Sequence, residues 1–180
     1  MRQFKTEGII IKRRDIGEAD RLLTVFTKDQ GKITVRASGV RRITSRRAPH
    51  TELLTHSMLN LHQGKVMPTL TDIQPIQGFQ EIKSDLMKVG FAYHLCELID
   101  GLCPEYQEHA SVFHLFKNTL TRLSFADNIA EVVHEFEIEL LTILGFYRSE
   151  TYQPNMDTHS FIEQILERRL RSKRLFPRLS

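Results

Sequence analysis

The sequence predicts an α+β chain: five short strands forming a small barrel or sandwich, then a series of helices. Three observations carry this expectation. Up to about residue 78 the apolar residues come in short runs or alternate, with turn residues between them. Beyond that point they recur at three and four residues, the period of a helix face. The charge divides at the same place. Residues 1–50 hold 13 Lys/Arg against 5 Asp/Glu, whereas residues 81–160 hold 5 against 13. Two modules follow, 1–78 and 79–180, of which the first favours a polyanion and the second disfavours one.

The strands are read in order. Gly8-Ile9-Ile10-Ile11 is a β-branched run, and Leu22 to Thr27 is a second. Gln30-Gly31 marks the turn into a third, in which Ile33, Val35 and Ala37 alternate with Lys32, Thr34 and Arg36. That alternation puts the apolar set on one face and the basic set on the other. A polar, Arg-rich stretch from Arg41 to Pro49 follows. Two further strands are expected at about Leu53 to Leu61 and Val66 to Ile76, with Gly64 as the turn and Pro75 marking an edge or strand end.

The helices come next. Ile82, Leu86, Val89, Tyr93, Cys96 and Ile99 form one stripe, stopped by Gly101 and Pro104. Val112, Leu115, Phe116, Leu120 and Leu123 form a second. Asp127 or Asn128 is placed to cap a third, which carries Ile129, Val132, Val133, Phe136, Leu140, Ile143 and Leu144 and ends at Gly145. A polar loop with Pro154 leads to a last helix capped by Thr158 or Ser160, with Phe161, Ile162, Ile165, Leu166 and Leu170.

Familiar catalytic signatures are missing. Gly64-Lys65 lacks the rest of a phosphate loop, and Ser38-Gly39 lacks the first half of a nucleophile elbow. His134-Glu135 begins like a zinc-protease helix, but Ile138 stands where its second histidine belongs. Cys96 and Cys103 are the only thiols and lack zinc-ribbon spacing. The expectation is a non-enzyme without metal or other cofactor. No apolar segment is long enough for a signal sequence or membrane span, so a cytoplasmic protein is expected.

The basic segment is the informative part. Lys12, Arg13 and Arg14 follow the first strand, Arg21, Lys32 and Arg36 lie on or beside the next two, and Arg41, Arg42, Arg46 and Arg47 fill the loop after them. A solvated surface does not account well for ten basic residues with arginine in excess of lysine. Arginine offers a planar donor fork that matches phosphate and stacks on bases. A basic face on a five-stranded barrel is the footprint of single-strand binding by an OB-fold. Phe4 and Phe26 are the only aromatics before residue 79, so binding is expected to lean on phosphates and to depend strongly on salt.

Several strings together resemble RecO, the bacterial DNA repair and recombination mediator family. They are Thr6-Glu7-Gly8-Ile9-Ile10-Ile11-Lys12, Gly17-Glu18-Ala19-Asp20-Arg21-Leu22-Leu23, Gly31-Lys32 and Ala37-Ser38-Gly39-Val40-Arg41-Arg42. The similarity continues through Glu97-Leu98-Ile99-Asp100 and Leu140-Leu141-Thr142-Ile143-Leu144-Gly145-Phe146 to a last helix ending Leu170-Arg171-Ser172-Lys173-Arg174. The resemblance implies an N-terminal OB-fold and a helical domain. It implies binding of single- and double-stranded DNA, annealing of complementary strands, and action with RecR to load recombinase on strands coated by single-strand DNA-binding protein. Many family members carry a four-cysteine zinc ribbon after the Leu-Gly-Phe string. Here Gly145-Phe146 leads to the last helix with no cysteine between, so the ribbon is expected to be absent and the chain shorter than typical members.

The resemblance also suggests a docking groove on the helical domain for the acidic tail of single-strand DNA-binding protein. Lys117 and Arg122, with Arg171 and Arg174, are the candidate flanking cations, beside Phe113, Phe116 and Leu120. The competing reading makes those phenylalanines core and the cations solvated. Two other functions stay open: a generic single-strand or RNA-binding OB protein, and an adaptor whose barrel binds protein. The stretch from Arg41 to Arg47 argues against the adaptor.

Overall fold

Five strands form the N-terminal unit: β1 (Gln3–Ile16), β2 (Asp20–Thr27), β3 (Gly31–Ala37), β4 (His56–His62) and β5 (Thr69–Gln77). The computed structural model describes residues 2–148 and 157–172. The strands close in the order β1-β2-β3-β5-β4, with β1 also pairing β4. Closure is possible because β1 is long. Its first half pairs with β4 from Gln3 to Ile9, and its second half pairs with β2 from Gly8 to Ile16. A parallel contact between β3 and β5 completes the ring, giving the OB-fold barrel.

The apolar face of each strand fills the barrel. Ile10, Leu23, Val25, Ile33, Val35, Ala37, Leu59, Leu61, Leu70 and Ile73 form one buried cluster. Directly opposed residues share a face, so the register assigns every side chain a side. Val25↔Ile33, Leu23↔Val35 and Arg21↔Ala37 point inward, while Phe26↔Lys32, Thr24↔Thr34 and Leu22↔Arg36 point outward. In β1 the register shifts between Ile10 and Lys12. One extra residue there inverts the alternation that follows, so Lys12 and Arg14 face out while Arg13 and Asp15 face in.

The barrel unit also includes Cys103–Ala110, a segment expected in the helical half. It lies along the start of β3, where the Tyr106 amide donates to the Lys32 carbonyl at 2.9 Å. Gly31 has φ +67°, and a Cβ there would lie 1.8 Å from the Gln107 carbonyl oxygen. This position therefore needs glycine for both its backbone angle and its close approach.

The helical unit holds α1 (Gln80–Lys83), α2 (Leu86–Leu102), α3 (Ala110–Phe125), α4 (Ile129–Ile143) and α5 (Thr158–Leu166). The single stripe expected from Ile82 to Ile99 is broken at Ser84-Asp85, where Asp85 Oδ1 accepts from the amides of Met87 and Lys88. The break resets the helical phase, so Leu86 and Tyr93 are exposed, and α2 buries Phe91, Ala92, Leu95, Leu98 and Ile99. Cys96 is buried within α2, whereas Cys103 lies past its end. Asn128 caps α4, accepting from the Glu131 amide. The cap of α5 is Asp157, in place of the expected Thr158 or Ser160. That helix ends at Glu167, φ +52°, so Leu170 and Arg171 lie past it, and Lys173 and Arg174 lie outside the described residues.

Two buried or half-buried acids hold the segment from α5 to Ser172 onto α2 and α4. Glu97 accepts from Arg168 Nη1 at 2.7 Å and from the amides of Arg171 and Ser172 at 3.0 and 2.8 Å. Desolvation raises the Glu97 pKa, but these donors outweigh it and hold the carboxyl down at about 2. Glu137 accepts from His94, His159 and the Thr158 hydroxyl. Burial raises its pKa too, and the hydrogen bonds from His159 and His94 bring it down to about 2. Among the described residues no helix is long and apolar enough to cross a membrane.

Candidate nucleic-acid interface

The register sorts the ten basic residues into groups with different surroundings. Arg13 and Arg21 face inward at the open end of the barrel, where Arg21 in particular is withdrawn from solvent and would be costly to leave unpaired. Carboxylates meet them there. Glu52 accepts from both Arg13 and Arg21, the latter at 3.0 Å, and Asp15 accepts from Arg21 Nε at 2.9 Å. The Arg21 side chain is only 16% exposed. Its desolvation lowers the guanidinium pKa, but Asp15 and Glu52 outweigh that and raise it. Asp15 is held below the usual carboxylate range, chiefly by its hydrogen bond from Arg21.

Lys32 faces outward from β3, but residues 103–110 cover that end, leaving it 8% exposed. It does not share the open face expected for it. Arg47 is also engaged. It donates to the carbonyl oxygens of Leu70 and Ser38 at 2.7 and 2.8 Å, fastening the loop after β3 to the barrel.

The remaining basic residues share the outer face and its adjoining loop. Lys12 and Arg14 lie outward on β1 and Arg36 outward on β3. Arg36 donates to Asp20 Oδ2 through Nε and Nη2, at 3.0 and 2.6 Å. The other Asp20 oxygen accepts from the Gly39 amide at 2.7 Å. That amide bond, then Arg36, lowers the Asp20 pKa. Gly39 has φ +66° and turns the chain into the loop. Arg41 anchors the other side, donating from its amide to the Ala19 carbonyl and from Nη1 to the Gly17 carbonyl. Its Nε also lies 3.4 Å from Asp15 Oδ2.

Anchored in this way, the loop presents Arg42, Ile43 and Arg46 to solvent. Arg14, Arg42 and Arg46 make no carboxylate hydrogen bond among the described residues. An open pocket of about 390 Å³ is lined by Asp20, Ser38, Gly39, Arg42, Thr44, Ser45, Arg46 and Arg47. The Ser45 hydroxyl is buried in its wall without a hydrogen-bond partner among the described residues. Two exposed guanidinium groups, Arg42 and Arg46, make a donor set suited to an anion at this pocket, whose Asp20 carboxylate is already engaged by Arg36 and the Gly39 amide. Sequence reasoning did not single out Ser45, the exposed Ile43, or Glu52 as the shared partner of two arginines.

The proposed tail-docking residues fare differently. Phe113, Phe116 and Leu120 are fully buried, so they belong to the helical core and do not wall a groove. Lys117 lies over the Phe113 ring, 5.9 Å from its centroid, and Arg122 pairs with Glu135. Arg171 is exposed, with its amide bound to Glu97, and Arg174 lies outside the described residues.

Comparison with known proteins places the chain in a family. Residues 1–79 match the family model described as Recombination protein O N terminal, and residues 83–155 match Recombination protein O C terminal. A DNA repair protein RecO from Roseiflexus sp. (strain RS-1) is 40% identical over 152 residues, covering 84% of this chain and 53% of that protein. The DNA repair protein RecO of Acetivibrio thermocellus is 37% identical over 147 residues, covering 81% and 59%. That of Heliobacterium modesticaldum is 35% identical over 147 residues, covering 81% and 53%. The chain thus spans a little over half the length of these curated relatives. With both family models matched across barrel and helices, and relatives at this identity, the chain belongs to the RecO family of DNA repair proteins.

Proposed function

We propose that the outer face of the barrel binds the DNA backbone through Lys12, Arg14, Arg36, Arg41, Arg42 and Arg46, accepting single and double strands. The observation that carries this is the anchored loop. Arg47 spends its guanidinium donors on barrel carbonyls and Arg41 is tethered by its amide and Nη1, which holds Arg42 and Arg46 beside the Ser45 hydroxyl. Arg42 and Arg46 then offer their guanidinium donors to phosphate from the solvent side, and little loop ordering would remain to oppose binding. Ile43, fully exposed between these arginines, gives a base an apolar surface to rest on.

Annealing follows from the same charge. Two complementary strands repel each other, and a basic face that neutralises phosphates releases counterions and lowers that repulsion. No covalent bond need break. On this reading the protein acts with RecR to load recombinase on strands coated by single-strand DNA-binding protein. The test is annealing of two complementary oligonucleotides pre-coated with single-strand DNA-binding protein. Acceleration by this chain supports a mediator. Acceleration on bare strands alone favours a generic nucleic-acid-binding OB protein.

A further inference from the structure

Three ligating side chains from three helices converge inside the helical unit. His94 comes from α2, Glu137 from α4 and His159 from the first turn of α5. One nitrogen of each histidine and a carboxylate oxygen all lie within 4.8 Å of one another. His94 Nε2 is 2.6 Å and His159 Nε2 2.9 Å from the same oxygen, Glu137 Oε1. The outward atoms of the group are supported in turn. His94 Nδ1 is 2.8 Å from Ser172 Oγ, and the Thr158 hydroxyl donates to Glu137 Oε2. Metal-binding histidines and carboxylates are typically oriented by such outer partners.

We infer that His94 Nε2, the Glu137 carboxylate and His159 Nε2 form a binding site for one Zn²⁺ ion, with a solvent molecule as fourth ligand. Two imidazoles and a carboxylate suit zinc, whereas Mg²⁺ and Ca²⁺ prefer all-oxygen sites. Tetrahedral ligation at about 2.0–2.1 Å places ligand atoms about 3.3 Å apart. The two nitrogens must move several tenths of an ångström from the shared oxygen and, lying within 4.8 Å of one another, must close to that same spacing by side-chain rotation. Neutral His94 ligates through Nε2 once its proton resides on Nδ1, where Ser172 Oγ is in position to accept it. The His94 side chain is fully buried and that of Glu137 is 2% exposed, but His159 is 29% exposed and leaves a way in for ion and solvent.

Such an ion would tie α5 to α2 and α4 at one point. It is distinct from a cysteine ribbon, since neither Cys96 nor Cys103 takes part, and it departs from the metal-free protein expected from the cysteine count. Metal-stripped full chain without an affinity tag is titrated with ZnCl₂ by calorimetry, with MgCl₂ as control, and its melting temperature is followed. The expected result is one Zn²⁺ per chain, a rise in melting temperature, and no response to Mg²⁺. The His159→Ala variant, altered at the exposed ligand, should weaken binding by more than about 10-fold, the least that loss of even an outer partner costs. Glu137→Gln should do the same if it folds. Absence of saturable Zn²⁺ binding by the native chain, or binding indifferent to His159→Ala, would overturn the site.

Discussion

Asp20 and Arg36 meet across the outer face of the β2–β3 pair, with Arg36 Nη2 donating to Asp20 Oδ2 at 2.6 Å. The pair places a negative charge within the basic face and draws on one of its cations. Asp20→Asn keeps an oxygen for the Gly39 amide and removes the charge. The variant should bind a single-stranded oligonucleotide roughly 3-fold more tightly, with a log–log salt slope steeper by about 0.7, the value for one more phosphate contact. Fluorescence anisotropy at several salt concentrations measures both. Unchanged or weaker binding by a folded variant would place DNA elsewhere.

Arg47 serves the fold of the loop. Truncation to Ala leaves the carbonyls of Ser38 and Leu70 without their donor and should cost roughly 2–3 kcal/mol of stability. Urea unfolding checks this. The loop should also become susceptible to limited trypsin cleavage near Arg46.

Gly31→Ala should destabilise by at least about 2 kcal/mol, since strain at positive φ and overpacking add. The added Cβ meets the Gln107 carbonyl, and relief requires residues 103–110 to lift from β3. Thermal unfolding of the variant tests this, and an unchanged midpoint would contradict the packing of that segment.

Glu97 predicts a specific acid sensitivity. Its folded pKa of about 2 is below the ordinary 4.5, so it contributes stability fully above pH 4.5 and loses it as pH falls toward 2. Arg168 stays charged throughout this range. Glu97→Gln should therefore melt below the native chain at pH 7, and the two midpoints should draw together between pH 4.5 and 2. A gap that stays constant across that range would contradict the assignment.

The alternation of Ile33, Val35 and Ala37 was readable because β3 has one face in the barrel core and side chains alternate along a strand. The basic character of the first module was equally plain. The inward turn of Arg13 was hidden because it depends on the register shift in β1 and on Glu52, 39 residues away. Lys32 looked like part of the open face because its cover comes from residues 103–110, beyond the first helices. The anchoring role of Arg47 was invisible because its partners are backbone carbonyls, which carry no residue signature. The group of His94, Glu137 and His159 had no spacing to betray it, since three helices contribute one residue each.

The most direct measurement is a fluorescence titration of a labelled oligonucleotide with native chain and the Arg42→Ala, Arg46→Ala double variant, at several salt concentrations. The variant should melt like the native chain, bind more weakly, and show a log–log salt slope shallower by about 1.4, two single-strand phosphate contacts. Native affinity and native slope in the folded double variant would contradict DNA binding through these arginines.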